Sequence, residues 1–351
     1  MELSKLVNSG LDYLHDRYES ISANRELLVN RARASISLGV VLASLHIGCS
    51  LNYFANNPDE PDDTVAESVR TTNTLDLTRY GIPEQVEIHG EIEYGELGEK
   101  GVIIIFGEDH GSLEGQLSVV KSVHHLIEAG ITDHILIEDV VKDCSLSDSS
   151  YNLDGPIRDS LADLEKWRVS WLDDSTSEVT DQRDELDDKI KEYIMEFGVT
   201  LVLEIMYRDR LNMQGIEDFD LREKALIPYQ EGYRINEQVD VLTKMPEEYE
   251  GSMYGDVPTT ISRLRETMSD LAEKLRKANG ARNEHYAGQT SEYMAEIGSL
   301  VSVVNLGDYH VGATADFLQK MGHPVIRVTP HGMDVENADM VARYEADVVG
   351  E

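Results

Sequence analysis

Cysteine is nearly absent: Cys49 and Cys144 are the whole complement of a 351-residue chain. Two thiols with no CxxC and no Cys/His spacing exclude a disulfide framework and a finger-type zinc site. Basic residues are also scarce, 31 against 67 acids, for a formal charge of −36. A field of that sign repels phosphates, which excludes nucleic acid and anionic membrane surfaces as non-specific partners. Lysine (12) is outnumbered by arginine (19), a balance suited to high salt. The plainer reading is that the acidity keeps the chain soluble. No apolar run reaches the roughly 20 residues that span a bilayer. The Gly-x-Ser-x-Gly elbow of serine esterases is missing, and so is any period typical of solenoids.

Residues 35–48 (SISLGVVLASLHIG) form the one membrane-like stretch, about 14 residues, the length of a signal-peptide core. Arg25, Arg31 and Arg33 precede it. Ile47-Gly48-Cys49 follows, which resembles a bacterial-type lipoprotein box with Cys49 as the lipidated residue. Against that stand His46, where such boxes usually carry leucine, and a long upstream segment containing acids. Two localisations follow: exported and membrane-attached through the N-terminal segment, or cytoplasmic with 35–48 as an amphipathic or buried helix. The chain divides into a helical appendage (1–34), a signal- or anchor-like segment (35–53), a polar linker (54–82), an α/β domain (83–335) and a tail (336–351).

Within that domain, Val86 to Tyr94 alternates as an edge or cover strand should. Residues 102–106 (VIIIF) are a buried strand, 114–129 a helix, and 134–137 a second strand ending in Glu138-Asp139. Strand, helix and strand in under forty residues imply a parallel crossover. A polar stretch holding Trp167 and Trp171 leads to a long helix over 184–208, then a third strand over 211–216 ending in Glu217-Asp218. Residues 221–280 read as an inserted, charge-laced helical hairpin and 143–200 as another acidic helical insertion. A helix over 281–297 feeds a strand over 300–306, and a helix over 314–321 leads to a last strand over 325–328. The fold class expected is α/β, a mainly parallel sheet flanked by helices.

Two segments some 200 residues apart read alike. Residues 102–106 run into Gly107-Glu108-Asp109-His110, and residues 301–306 run into Gly307-Asp308-Tyr309-His310. Each delivers a histidine three residues after a glycine at the end of a buried strand, where open α/β sheets place ligands and chemistry. With Glu138-Asp139 and Glu217-Asp218, several carboxylates and two imidazoles gather on one edge. Carboxylates so close need compensation by a metal ion, an arginine or shared protons. Arg282 is the leading arginine, ahead of Arg208 and Arg210. Asp139, Glu217 and Asp218, taken singly, are as well explained as helix caps or surface acids. His124, His125, His134, His285, His323 and His331 are assigned to packing, with His285 the least secure because it lies one turn from Arg282.

The order of these pieces resembles the TraB/TIKI-type, erythromycin-esterase-like and ChaN-like superfamily, over roughly residues 100–330. Its pattern is a strand ending in Gly-x-x-His, a strand ending in Glu, an Arg-bearing helix, and a second strand ending in Gly-x-x-His. The resemblance implies a site of Glu108, His110, Glu138, Arg282 and His310, and activities that diverge: metal-dependent proteolysis, ester hydrolysis or haem binding. The expectation is a hydrolase of a small-molecule or peptide substrate. Water is activated by a divalent transition metal (Mn, Zn, Co or Fe) on His110, His310, Glu138 and Glu108, or by a carboxylate base, and Arg282 stabilises the oxyanion. The alternatives are a haem- or ligand-binding protein, kept open by Tyr309, and a membrane-attached interaction protein with a vestigial site.

Overall fold

The computed structural model describes residues 73–109, 111–141, 164, 166–169, 177–207, 210–244 and 256–333. The segment at 35–48, the candidate lipidation residue Cys49, His110, Trp171 and Arg208 lie outside the described residues. Among the described residues no helix is long and apolar enough to cross a membrane.

The strands are β1 (Asn73–Asp76), β2 (Gln85–Ile88), β3 (Gly90–Tyr94), β4 (Val102–Glu108), β5 (His134–Val141), β6 (Asn212–Glu217), β7 (Val301–Gly307) and β8 (Val325–Pro330). The helices are α1 (Leu113–Glu128), α2 (Ser177–Tyr207), α3 (Phe219–Thr243), α4 (Val257–Ile297) and α5 (Asp308–Lys320). Six strands make one sheet in the order β3-β8-β4-β7-β5-β6, and β1 and β2 pair as a separate ribbon. Only β3 runs antiparallel within the six. Because helices cover both faces, the central strands have no solvent side to supply polar residues, so β4 and β7 are apolar almost throughout.

Helix α1 packs with α2, and α4 packs with α5. Ile103, Ile105, Leu136, Val304 and Leu306 meet Tyr286, Ala287, Val311, Ala315 and Leu318 in the core under α4 and α5. After β4 the chain crosses through α1 to β5; after β7 it crosses through α5 the other way, to β8. Two adjacent strands whose outgoing connections run in opposite directions make a topological switch point, the place where open α/β sheets form a crevice. The two Gly-x-x-His segments begin there. Gly107 pairs with Leu306 and Glu108 with Gly307.

Several boundaries differ from expectation, each for a packing reason. Asn73–Tyr80, inside the stretch expected to be linker, is structured, with Leu75 and Leu77 fully buried. The single strand expected over 86–94 is broken at His89: β2 joins the ribbon and β3 the sheet. Trp167 lies in a polar stretch, yet it is buried, donating from Nε1 to Asp187 at 2.8 Å while Lys121 pairs with the same carboxylate. The hairpin expected over 221–280 is α3 and the first part of α4. Helix α4 does not stop at Gly280 but continues to Ile297, so Arg282 sits in a helix interior rather than at a helix start. Packing of Met268, Leu271 and Leu275 overrides the cost of about 1 kcal/mol for a mid-helix glycine.

Candidate functional site

Beside the switch point, the ends of β5 and β6, helix α4 and the β7–α5 junction converge. The register of β5 against β6 shifts between Ile137 and Val141, a bulge-type irregularity that places Glu138 inside a strand rather than after it. Helix α5 starts at Asp308, earlier than the expected 314, so His310 occupies its first turn. Gly307 is the residue before that turn, and its N–H donates to Glu138 Oε2 at 2.7 Å, which puts a carboxylate at a helix N-terminus.

Arg282 is the centre of the cluster. Its Nη2 donates to Glu138 Oε1 at 2.9 Å and to Glu217 Oε2 at 2.5 Å. Its Nη1 lies 3.1 Å from His310 Nε2. Glu138 Oε1 lies 3.2 Å from the same imidazole nitrogen. The Tyr286 hydroxyl, one turn along α4 from Arg282, donates to Glu217 Oε2 at 2.8 Å. Asn283 Oδ1 is 2.5 Å from His310 Nδ1, so Nδ1 carries the proton and Nε2 presents its lone pair to Arg282. Tyr286 and Tyr309 meet the His310 ring edge-on, with centroids at 5.4 and 4.8 Å.

The electrostatics follow from this packing. Burial pushes the Glu138 carboxyl up, but the His310 imidazole in its protonated form, Arg282 and the Gly307 N–H outweigh it and hold the group well below the ordinary carboxylate range. Burial opposes the charge on Arg282, and the Glu138 and Glu217 carboxylates more than restore it. Tyr286 is pushed far up by burial and by Glu138, so it remains a neutral donor. A buried cation thus bridges two carboxylates and an imidazole with most hydrogen-bonding capacity in use.

Of the residues expected from sequence, Glu138, Arg282 and His310 are brought together. Glu108 is buried at the end of β4, where Oε2 accepts from Asn305 Nδ2 at 2.5 Å. A Cβ on Gly107 would run into the Asp308 carboxylate, so a larger residue there would require that side chain to move. The Asp308 carboxyl is itself pushed up, by burial and then by Asp109. Arg210 is elsewhere: it pairs with Glu128 at 2.7 Å and lies over the Tyr207 ring. Glu217, set aside as a surface acid, is buried in the cluster. Asn283, Tyr286 and Asn305 were missed. Tyr286 carried a signal, since it lies four residues after Arg282 on one helix.

No family model matches the chain, and no curated protein matches it. Among solved structures the type III effector HopBA1 is similar at 16% identity and a TM-score of 0.26, covering 59% of this chain and 66% of that one. The chain therefore spans just under two thirds of that effector's length, and a likeness at that TM-score carries no argument.

Proposed function

We propose that the protein is a hydrolase of ester or peptide bonds, with His310 as the base that activates water and Arg282 as the group that receives the developing oxyanion. The observation that supports this most directly is the bridge from Arg282 to Glu138, Glu217 and His310 beside the switch point. With Nδ1–H donated to Asn283, the lone pair of His310 Nε2 accepts from Arg282 Nη1. When water attacks a carbonyl carbon, its proton passes to Nε2. The imidazolium then has no lone pair for Arg282 and turns its new N–H to Glu138 Oε1. Nη1–H is released at the moment the carbonyl oxygen becomes an anion, and donates to it. Collapse of the tetrahedral intermediate returns the proton from Nε2 to the leaving group. Glu138, held ionised, stabilises the imidazolium, and Glu217 with Tyr286 fixes the guanidinium.

A resident metal on His110, His310, Glu138 and Glu108 has no part in this reading. Both Glu138 oxygens are engaged, the position between the carboxylates belongs to the Arg282 guanidinium, and Glu108 faces Asn305. Haem fits no better, since the groups around His310 are charged and the Tyr309 hydroxyl accepts from Asn279. The order of the Gly-x-x-His, Glu, Arg and Gly-x-x-His pieces resembles hydrolytic TraB/TIKI-type and erythromycin-esterase-like proteins and haem-binding ChaN-like ones alike, so the charged surroundings of His310, and not that order, favour hydrolysis over binding.

The test is a screen of p-nitrophenyl esters and fluorogenic peptides with the full chain and with His310→Gln and Arg282→Lys variants checked for folding by circular dichroism. The expected loss in kcat/KM is about 10²–10⁴-fold for H310Q and about 10²–10³-fold for R282K. The wild-type rate should withstand EDTA. Undiminished turnover in H310Q, or no turnover of any ester or peptide by the wild type, overturns the proposal.

A further inference from the structure

A second group of ligand-type side chains shares no residue with the Arg282 cluster. Glu87 on β2, His89 immediately after β2, and His125 in the last turn of α1 each offer one ligand atom, and the three atoms lie within 4.8 Å of one another. His125 Nε2 is 3.7 Å from Glu87 Oε2. The His89 and His125 rings stack with centroids 5.6 Å apart and planes 19° apart.

The backbone beneath this group is fixed. The His89 N–H donates to Ser122 Oγ at 2.9 Å, and Ser122 Oγ donates to Ser118 O at 2.8 Å, so the strand end is tied to the helix that carries His125. The His89 carbonyl accepts from the His331 N–H at 3.3 Å. Entry from solvent is open on one side, because the Glu87 side chain is 42% exposed while that of His125 is 15% exposed.

We propose that Glu87, His89 and His125 bind one divalent transition-metal ion of the zinc type. Two imidazoles and one carboxylate make a mixed nitrogen/oxygen set that suits zinc, nickel, copper or cobalt better than calcium or magnesium. Bond lengths of about 2.0–2.2 Å imply ligand atoms about 3.4 Å apart around a tetrahedral ion. The Glu87–His125 pair is already near that spacing, and rotation of exposed Glu87 and a tilt of the stacked rings closes the rest. Three protein ligands leave the fourth position to water. The ion joins the β1–β2 ribbon to α1, and a two-stranded ribbon is marginal when it stands alone. Binding therefore stabilises the fold.

The probes are ZnCl₂ and CoCl₂ added to the full chain after EDTA treatment and dialysis. Wild type should bind one equivalent of Zn²⁺ by calorimetry, raise its thermal midpoint on binding, and give visible ligand-field absorption with Co²⁺. His125→Gln and Glu87→Gln, both at partly exposed side chains and so tolerable to the fold, should each weaken Zn²⁺ binding at least 10-fold. His89→Ala/His125→Gln should abolish the cobalt spectrum, with circular dichroism verifying the fold. Glu138→Gln should bind as wild type does. Absence of stoichiometric binding by the wild type, or binding unchanged in H125Q and E87Q, overturns the site. Binding lost only in E138Q would transfer the ion to the sheet edge and overturn it equally. Metal content is the readout, so failure here and failure of the hydrolase reading are separately visible.

Discussion

Arg282 shows what a single residue does when two carboxylates are taken out of water beside it. Its guanidinium is shared between Glu138 and Glu217, whose side chains are only 14% and 1% exposed, and offsets one of their two charges. Removing one partner of a buried pair leaves an uncompensated charge and costs about 3–5 kcal/mol. Arg282→Met should therefore lower stability by that order at pH 7, read by urea unfolding. The pH dependence has a definite sign. In the wild type the Glu138 carboxyl is held below its unfolded value, so its stabilisation is complete above about pH 4.3 and is lost as pH falls through the lower folded value. In Arg282→Met burial acts on Glu138 without the arginine, its folded value rises, and protonation relieves it. The gap between wild type and variant should narrow as pH falls from 7 toward 4.5. A gap that stays constant over that range would show that the arginine does not compensate these carboxylates.

At the scale of elements, the strands that build the site were legible, and the helices that complete it were legible in part: the stretch 281–297 reads as helix, but its continuity across Gly280 and the start of α5 at Asp308 do not. An apolar β-branched run that gives way to Glu or Asp marks the end of a buried parallel strand, and that reading located Glu108, Glu138, Glu217 and the segment before His310. Helix phase is harder to read where glycine interrupts it. Gly280 reads as a break, whereas α4 runs through it, so the sequence places Arg282 at a helix start instead of in a helix interior. His89 and His125 were illegible for another reason. They meet only because the strand expected over 86–94 breaks at His89, a consequence of tertiary pairing that local alternation does not encode. Glycine does control one helix. Gly198 interrupts α2 at φ 77° and ψ 162°, a conformation that is essentially glycine-only, and α2 kinks there. Gly198→Ala should destabilise by about 1–3 kcal/mol, measured by chemical denaturation. An unchanged midpoint would mean that α2 straightens without loss.

On the scale of the whole molecule, the charge of −36 is a cost spread over the surface rather than located at any contact. Local ion pairs such as Arg276 and Lys277 with Glu273 answer only a few of the 67 acids. Like charges forced together by folding repel over a distance set by the Debye length, about 30 Å at 0.01 M salt and about 3 Å at 1 M. Folding brings acids closer than they are in the expanded chain, so screening relieves the native state more than the unfolded one. The Arg282 cluster is little affected, because buried pairs are screened much less than exposed ones. Stability should therefore rise with NaCl from 10 mM to 1 M, steeply below about 0.2 M, where the screening length contracts through the spacing of surface acids. Thermal midpoints read across that series at pH 7.5 make the measurement, with sucrose as a control for excluded-solute stabilisation without screening. A rise with NaCl well beyond the sucrose effect identifies charge repulsion as the term relieved. A midpoint that falls with salt would mean that exposed ion pairs, rather than the excess of acids, govern the electrostatics of the fold.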